Sequence, residues 1–326
     1  MNLIPGYIHK VIITDSQNRT FKTLRISLTN SCNLACTYCV NDEVVRNSTL
    51  KIESLNVDEI SIIAQKLHQI LNLETIRLTG GEPTLYQDIV PLIKSLRNIG
   101  TELKLTTNGF LLKNLVDKLA IGDINSINVS LDALDEDVFF QISRRRSVHK
   151  IIEGIDAALR KGINVKLNCV VIKGLNENEI LPLMQFSKER NITIRFLELM
   201  KMGHVFNSDF SKFYSQEAIL NTISSKYTFA ALEREEASTA NYWQTSEGQI
   251  FGIIANESSP FCNDCNRLRL DQQGNIYGCL SNPEGINIRN DLKNDELLIQ
   301  KLSLALAQKQ ALKFKGSALS MIEIGG

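Results

Sequence analysis

The stretch Thr23-Leu24-Arg25-Ile26-Ser27-Leu28-Thr29-Asn30-Ser31-Cys32-Asn33-Leu34-Ala35-Cys36-Thr37-Tyr38-Cys39 decides how this chain is read. It begins with a β-rich run, Thr23–Leu28, and ends in three cysteines spaced C-x3-C-x2-C. A strand leading directly into soft ligands puts chemistry at its C-terminal end, where parallel α/β folds gather their active sites. A zinc site wants four ligands, usually paired. Here there are three, and the closest histidines are His9 and His68. Thiolates also select iron–sulfur clusters. Three cysteines on a four-iron cluster leave one iron open to a small molecule. The plain alternative is three buried cysteines that happen to lie close together.

Working outward, β-rich runs recur at Thr75–Leu78, Glu102–Thr106, Ser126–Leu131, Asn164–Ile172 and Thr193–Leu197. Helical apolar spacing fills the gaps. Ile60, Ile63, Ala64, Leu67 and Leu71 recur every three or four residues, behind Asp58 and Glu59, which suit a helix N-terminus. Ile151, Ile152, Ile155, Ala158 and Leu159 form a second stripe closed by Gly162, and Asn176–Arg190 a third. Strands alternating with helices imply a parallel sheet, because each parallel crossover needs a long connection. The spacing suits a doubly wound sheet or a triosephosphate-isomerase-type barrel, and six units are too few for a full eight-stranded barrel.

After Met200 the texture is more polar. A helix is expected near Gln216–Ser225, and strands at Tyr227–Leu232, Gln249–Ala255, Arg267–Asp271 and Asn275–Tyr277. Asp271–Gly274 reads as a hairpin turn and Leu297–Ala307 as a last helix. A second cysteine group, Cys262, Cys265 and Cys279, has the spacing C-x2-C-x13-C. A zinc ribbon would need a fourth ligand; a second cluster with an open iron is the other reading. Arg267 and Arg269, two apart on a strand, point the same way and suit a phosphate chain. No P-loop and no G-x-G-x-x-G run is present. Cys169, in an apolar run, reads as a buried thiol, Arg144-Arg145-Arg146 as the decoration of a helix end, and His204 has no evident partner.

The chain has 326 residues, 36 basic and 36 acidic, with 43% apolar and 22% charged. That excludes full-length disorder and gives no global field toward nucleic acid or an anionic membrane. With no long apolar run and no evident secretory signal, a cytoplasmic enzyme is expected. An odd number of cysteines, seven, is a poor disulfide framework.

Cys32-x3-Cys36-x-Tyr38-Cys39 resembles the signature of radical S-adenosylmethionine (SAM) enzymes, and Leu78-Thr79-Gly80-Gly81-Glu82-Pro83 resembles their glycine-rich segment. Beyond these, Asp15-Ser16-Gln17-Asn18-Arg19, Leu105-Thr106-Thr107-Asn108-Gly109, Asn128-Val129-Ser130-Leu131-Asp132, Val165-Lys166-Leu167-Asn168, Arg195-Phe196-Leu197-Glu198-Leu199-Met200 and Gly325-Gly326 are similar, in order, to the GTP 3′,8-cyclase family of molybdenum cofactor biosynthesis. After Cys39 that family commonly has Met-Pro, where this chain has Val40-Asn41. The resemblance implies an incomplete (βα)6 barrel over 1–200 and a C-terminal α+β extension over 201–326 carrying a second [4Fe–4S] cluster. It implies a lyase that cyclises GTP after a 5′-deoxyadenosyl radical takes the ribose C3′ hydrogen. Cys32, Cys36 and Cys39 would hold the first cluster and serve as the catalytic residues; Cys262, Cys265 and Cys279 would hold the second. Tyr38, Gly81, Ser130 and Met200 would contact SAM. Arg25, Arg77, Thr106, Lys166, Arg267, Leu268 and Arg269 would bind GTP, and the Gly325-Gly326 tail would enter the site. Implied partners are a flavodoxin or ferredoxin as electron donor and the cyclic pyranopterin monophosphate synthase that receives the product, with a homodimer allowed and no nucleic acid or membrane. A peptide-modifying radical SAM maturase and a non-catalytic metal-binding module are the rival readings.

Overall fold

A computed structural model of the chain describes residues 13–40, 53–208, 210–310 and 312–325. Asn41, Asp42, Glu43 and Gly326 lie outside the described residues. The strands are β1 Thr23–Ser27, β2 Thr75–Thr79, β3 Glu102–Thr107, β4 Ser126–Ser130, β5 Asn164–Val171, β6 Thr193–Glu198, β7 Phe229–Ala231, β8 Asn241–Thr245, β9 Ile250–Ile254, β10 Arg267–Leu270, β11 Asn275–Tyr277 and β12 Ile286–Asn287. The helices are α1 Val57–Leu71, α2 Ile89–Arg97, α3 Leu112–Ile121, α4 Glu136–Ser143, α5 Val148–Arg160, α6 Ile180–Glu189, α7 Gln216–Ser224, α8 Asp295–Ala307 and α9 Met321–Ile324.

Helix α1 shows how local chemistry sets an element. Asn56 and Glu59 form a reciprocal capping box, each side chain accepting the other's backbone N–H at 2.9 Å. Ile60, Ile63, Ala64, Leu67 and Leu71 are buried, and Asn72 ends the helix in the left-handed region at φ 54°. Each of the larger side chains contributes about 1.5–3 kcal/mol by burial.

All twelve strands form one sheet in the order β12-β11-β10-β1-β2-β3-β4-β5-β6-β9-β8-β7. The six expected parallel strands are present, with β1 to β6 side by side. The C-terminal segment adds a parallel strand at each edge, β10 against β1 and β9 against β6. Antiparallel hairpins then finish both ends, and Asp271–Gly274 is the turn of one of them. The sheet does not close, because β9 and β10 do not pair. It is an unclosed, incomplete barrel.

Alternation along the strands divides two environments. In β5, Val165, Leu167, Cys169 and Val171 are buried, while Lys166, Asn168 and Val170 are partly exposed. In β1 and β2, Leu24, Ile26, Ile76 and Leu78 join the core, and Arg25 and Arg77 take the other face. The apolar face packs on the helices; the opposite face is rich in polar and basic groups. A (βα)8 enzyme fills its barrel with branched aliphatics, whereas this one keeps a polar interior.

Candidate active site

The Cys32–Cys39 loop is pinned on two sides. Ala35 N–H donates to Ser143 O at 3.0 Å and Thr37 N–H to Ile142 O at 2.9 Å, which seats the loop on the end of α4. On the other side Asn108 Nδ2 donates to Asn33 Oδ1 at 2.7 Å and reaches Cys32 Sγ at 3.8 Å. Asn108 is itself set by Glu82, whose Oε2 accepts its N–H at 2.7 Å. Glu82 Oε1 accepts from Thr107 Oγ1 at 2.6 Å and from Thr84 N–H at 3.0 Å. Fully buried, Glu82 thus ties the glycine turn to the end of β3 and through it to the cysteine loop.

Gly80 and Gly81 are required by the chain itself. A Cβ on Gly81 would lie 2.5 Å from Ser31 O, and one on Gly80 2.6 Å from Thr29 O. The close approach they permit is therefore to the segment just before Cys32.

Cys32, Cys36, Cys39, Tyr38, Gly81, Thr106 and Ser130 line one cavity at the strand ends. Tyr38 Oη donates to Asp132 Oδ2 at 2.8 Å, and Asp132 Oδ1 accepts Val170 N–H at 2.8 Å. Burial raises Asp132 to about 6. Burial, with Cys39, Asp132 and Cys32 nearby, pushes the Cys36 thiol well up, and burial carries Cys39 to about 12. Three partly exposed, unpaired thiols beside two buried carboxylates form a donor set that calls for a cationic centre.

Deeper on the same face lies a band of cations. The register places Arg269, Arg25, Arg77 and Lys104 in one row across β10, β1, β2 and β3. Arg77 Nη1 donates to Thr106 Oγ1 at 3.4 Å. Burial, then Arg269, Arg77 and Arg267, lower Arg25 well below the ordinary arginine value. Burial, with Arg267, lowers Arg269 to about 10. Arg25 Nε, Arg267 Nη2 and Arg195 Nε and Nη2 are buried without hydrogen-bond partners. Orphaned donors in and beside a cationic row fit a polyanion.

At the second cysteine group, Lys309 Nζ donates to Cys265 Sγ at 3.2 Å and to Arg267 O. Burial raises Cys265, but Arg267 and Lys309 outweigh it and hold the thiol at about 6. Cys262 sits at about 11, raised by burial and by Cys279 and Cys265. Arg19 donates to Cys262 O and Gln310 O while its Nε holds Asp15 Oδ2 at 2.6 Å, bracing the loop from the N-terminal side. The Gly325 carbonyl accepts from Arg269, and its Cα approaches Ser27 and Thr79 so closely that a Cβ would lie 2.9 Å from each. Among the described residues, no three His, Cys, Asp or Glu groups converge on a single metal ion.

Several residues singled out in the sequence do not line the strand-end cavity. Met200 packs against the small cluster of Met202, Tyr277, Phe314 and Ile324. Leu268 is fully buried in the main core, on the face opposite its two arginine neighbours. Lys166 lies over the Tyr242 ring at 5.9 Å. His204 does have a partner: its Nε2 meets Thr37 O at 2.8 Å. Cys169 is fully buried. Sequence reasoning missed Glu82, Asp132, Arg195 and Lys309 as organising groups.

Residues 26–187 match the Radical SAM superfamily model and residues 192–317 the Molybdenum Cofactor Synthesis C model. The GTP 3′,8-cyclase of Staphylococcus carnosus is 39% identical over 298 residues, covering 87% of each chain. The chain belongs to the GTP 3′,8-cyclase family of radical SAM enzymes. Its Synechocystis relative, of the same name, is 36% identical over 85% of this chain and 84% of that one. Streptococcus suis SuiB bound to precursor peptide SuiA shares the fold, with a TM-score of 0.67 at 17% identity over 90% of this chain and 69% of SuiB. So does anSMEcpe with bound AdoMet, at 0.61 and 14% over 90% and 92%. Radical SAM enzymes bind SAM and a [4Fe–4S] cluster, and the cavity holding three thiols and a glycine turn has the donor set for both. No described helix is long and apolar enough to cross a membrane.

Proposed function

We propose that this chain cyclises GTP to 3′,8-cyclo-7,8-dihydro-GTP, as the name of its relatives indicates. What supports this most is one continuous interior face, with thiols and a glycine turn at the strand ends and orphaned arginines deeper on the same strands. Cys32, Cys36 and Cys39 would hold the first cluster and leave one iron open to SAM. When bound, this pair supplies the 5′-deoxyadenosyl radical that takes the ribose C3′ hydrogen.

The rest is the work of this chain's residues. Tyr38, Gly81, Ser130 and Met200 would contact SAM, and the Tyr38–Asp132 bond fixes the tyrosine ring. Arg25, Arg77, Arg267 and Arg269, with Thr106, Lys166 and the main chain at Leu268, would hold GTP. Arg195 joins them in this reading, because its buried Nε and Nη2 need acceptors. Cys262, Cys265 and Cys279 would hold a second cluster, with Lys309 and Arg267 offsetting the thiolate charge. On this account residues 1–200 form the radical-generating unit and 201–326 the substrate-side extension. A flavodoxin or ferredoxin would donate the electron and a cyclic pyranopterin monophosphate synthase would take the product. The reading includes a cytoplasmic location and allows a homodimer.

The test uses the anaerobically reconstituted protein with SAM, dithionite and GTP deuterated at C3′. Deuterium in 5′-deoxyadenosine together with the cyclised nucleotide is expected. SAM cleavage without deuterium transfer would overturn the GTP assignment.

A further inference from the structure

Residues 232–240 join β7 to β8 at one margin of the sheet, yet they are bonded to groups at the other margin, around the start of β10. Glu233, Arg234, Glu235 and Glu236 are consecutive charged residues; the three glutamates are exposed and Arg234 is half-buried. The Arg234 fork grips Asp264, with Nη1 donating to Oδ2 at 2.7 Å and Nη2 to Oδ1 at 2.9 Å. Nη2 also donates to Ser238 O at 2.6 Å, and Asp264 Oδ2 accepts Ala237 N–H at 2.8 Å. Asp264 lies in the short turn between Cys262 and Cys265, just before β10. Ala237 is thereby held at φ 57°, a left-handed conformation that a non-glycine residue keeps only where its surroundings fix it. Its carbonyl accepts from Arg267 Nη1 at 2.9 Å. The Phe261 ring lies against the same guanidinium, 5.2 Å from its Cζ. With Nη1 and one face engaged, the buried Nη2 of Arg267 is left without a partner.

We propose that Arg234 is a positioning residue for GTP binding: paired with Asp264, it fastens the strap 232–240 across the open side of the sheet so that the Ala237 carbonyl aims Arg267. The inference rests on the reading that Arg267 binds GTP. No strand ladder joins β9 to β10, so the sheet itself does not hold the strap against Arg267, and the side-chain latch does. A guanidinium is planar, so a bond at Nη1 and a ring against its face set where Nη2 points. A free arginine loses rotamer freedom when it takes hold of a ligand; the strap imposes that loss before GTP arrives. A bidentate pair suits this task because it fixes direction as well as distance. An ion pair that solvent still reaches adds little to overall stability, so its loss is expected to be felt at the site rather than in folding.

The test uses the anaerobically reconstituted protein, with iron measured for each variant. GTP binding is read by calorimetry without reductant, and cyclisation kinetics with SAM and dithionite. Arg234→Ala is expected to weaken GTP binding and raise its KM about tenfold, with SAM affinity and kcat at saturating GTP kept. Arg234→Lys, which keeps the charge but not the fork, should fall between the two. In an Arg267→Ala background, Arg234→Ala should change GTP affinity by less than about twofold, because its effect passes through Arg267. Unchanged GTP affinity in Arg234→Ala would overturn the proposal, as would effects of the two substitutions that simply multiply. If Arg234→Ala loses iron, Arg234→Lys decides: with full iron it must still bind GTP more weakly than the unaltered chain, and failing that the proposal falls. Should Arg267→Ala bind GTP as the unaltered chain does, the reading of Arg267 as a GTP residue is what breaks, and the proposal falls with it.

Discussion

The two cysteine groups sit in opposite electrostatic settings. The first lies within eight residues on a loop latched by buried carboxylates, and its thiols are all raised. The second is spread over two sides of a hairpin, and a lysine and an arginine hold one thiol down to about 6. Burial acts the same way at both. The neighbours differ: Glu82 and Asp132 at one, Arg267 and Lys309 at the other. No cation among the described residues lowers the first group's thiols, while the second offsets part of its charge with its own side chains.

The largest expected effect separates the groups. Cys36→Ala should abolish SAM cleavage and lower iron from about eight to about four per chain, assuming two four-iron clusters. Cys265→Ala should also halve the iron, yet retain SAM cleavage uncoupled from cyclisation. Iron analysis and 5′-deoxyadenosine assays check both; equal loss of cleavage would break the contrast. Next is Arg269→Ala, which removes a cation from the row and the donor to Gly325. A charge-assisted bond is worth about 1.5–3 kcal/mol, so GTP affinity should fall roughly 10- to 150-fold with SAM affinity kept. Direct binding of the two ligands distinguishes these.

Glu82→Gln replaces an all-acceptor group that takes bonds from Thr84, Thr107 and Asn108. A cost of about 1–3 kcal/mol is expected, with a Tm drop of a few degrees and slower iron uptake by the first loop. Thermal unfolding and reconstitution kinetics read these out. The smallest effect concerns the metal-free chain. Thiolate ultraviolet absorbance should show one cysteine titrating near 6, and Lys309→Met should move that midpoint upward. Because the folded value is depressed, this thiolate's stabilisation is full above the ordinary thiol range and is lost as pH falls through about 6. A midpoint unmoved by Lys309→Met would assign the depression to Arg267.

The parallel strands were legible to within about a residue because period-2 alternation is local; β3 to β6 start at the residues the pattern picks. The cysteines stood out by their spacing, whereas Arg25, Arg77, Thr106 and Ser130 were singled out through the resemblance of the motifs around them. Illegible were the pairings of β9 with β6 and of β10 with β1, since partners so far apart in the chain, over 200 residues for β10, leave no local trace. Strand β8 was missed in a polar stretch where only Trp243 and Thr245 are buried. Glu82 and Lys309 escaped notice because a buried charge is recognised by its partners, and these come from distant segments. Leu268 differs from its neighbours: the motif covers three adjacent residues, but the pleat sends the middle side chain into the core.

The unclosed sheet bears on evolvability. A closed barrel has its bore set by strand number and stagger, so a wider substrate demands a rebuilt ladder. Here no strand ladder joins β9 to β10, and the gap is crossed by side-chain bonds such as that from Arg267 Nη1 to Ala237 O at 2.9 Å. Shifting one edge can change the bore while the strands between it and the cysteine loop stay in register. The same fold in SuiB is seen with a precursor peptide. An unclosed sheet leaves that adjustment to its two margins.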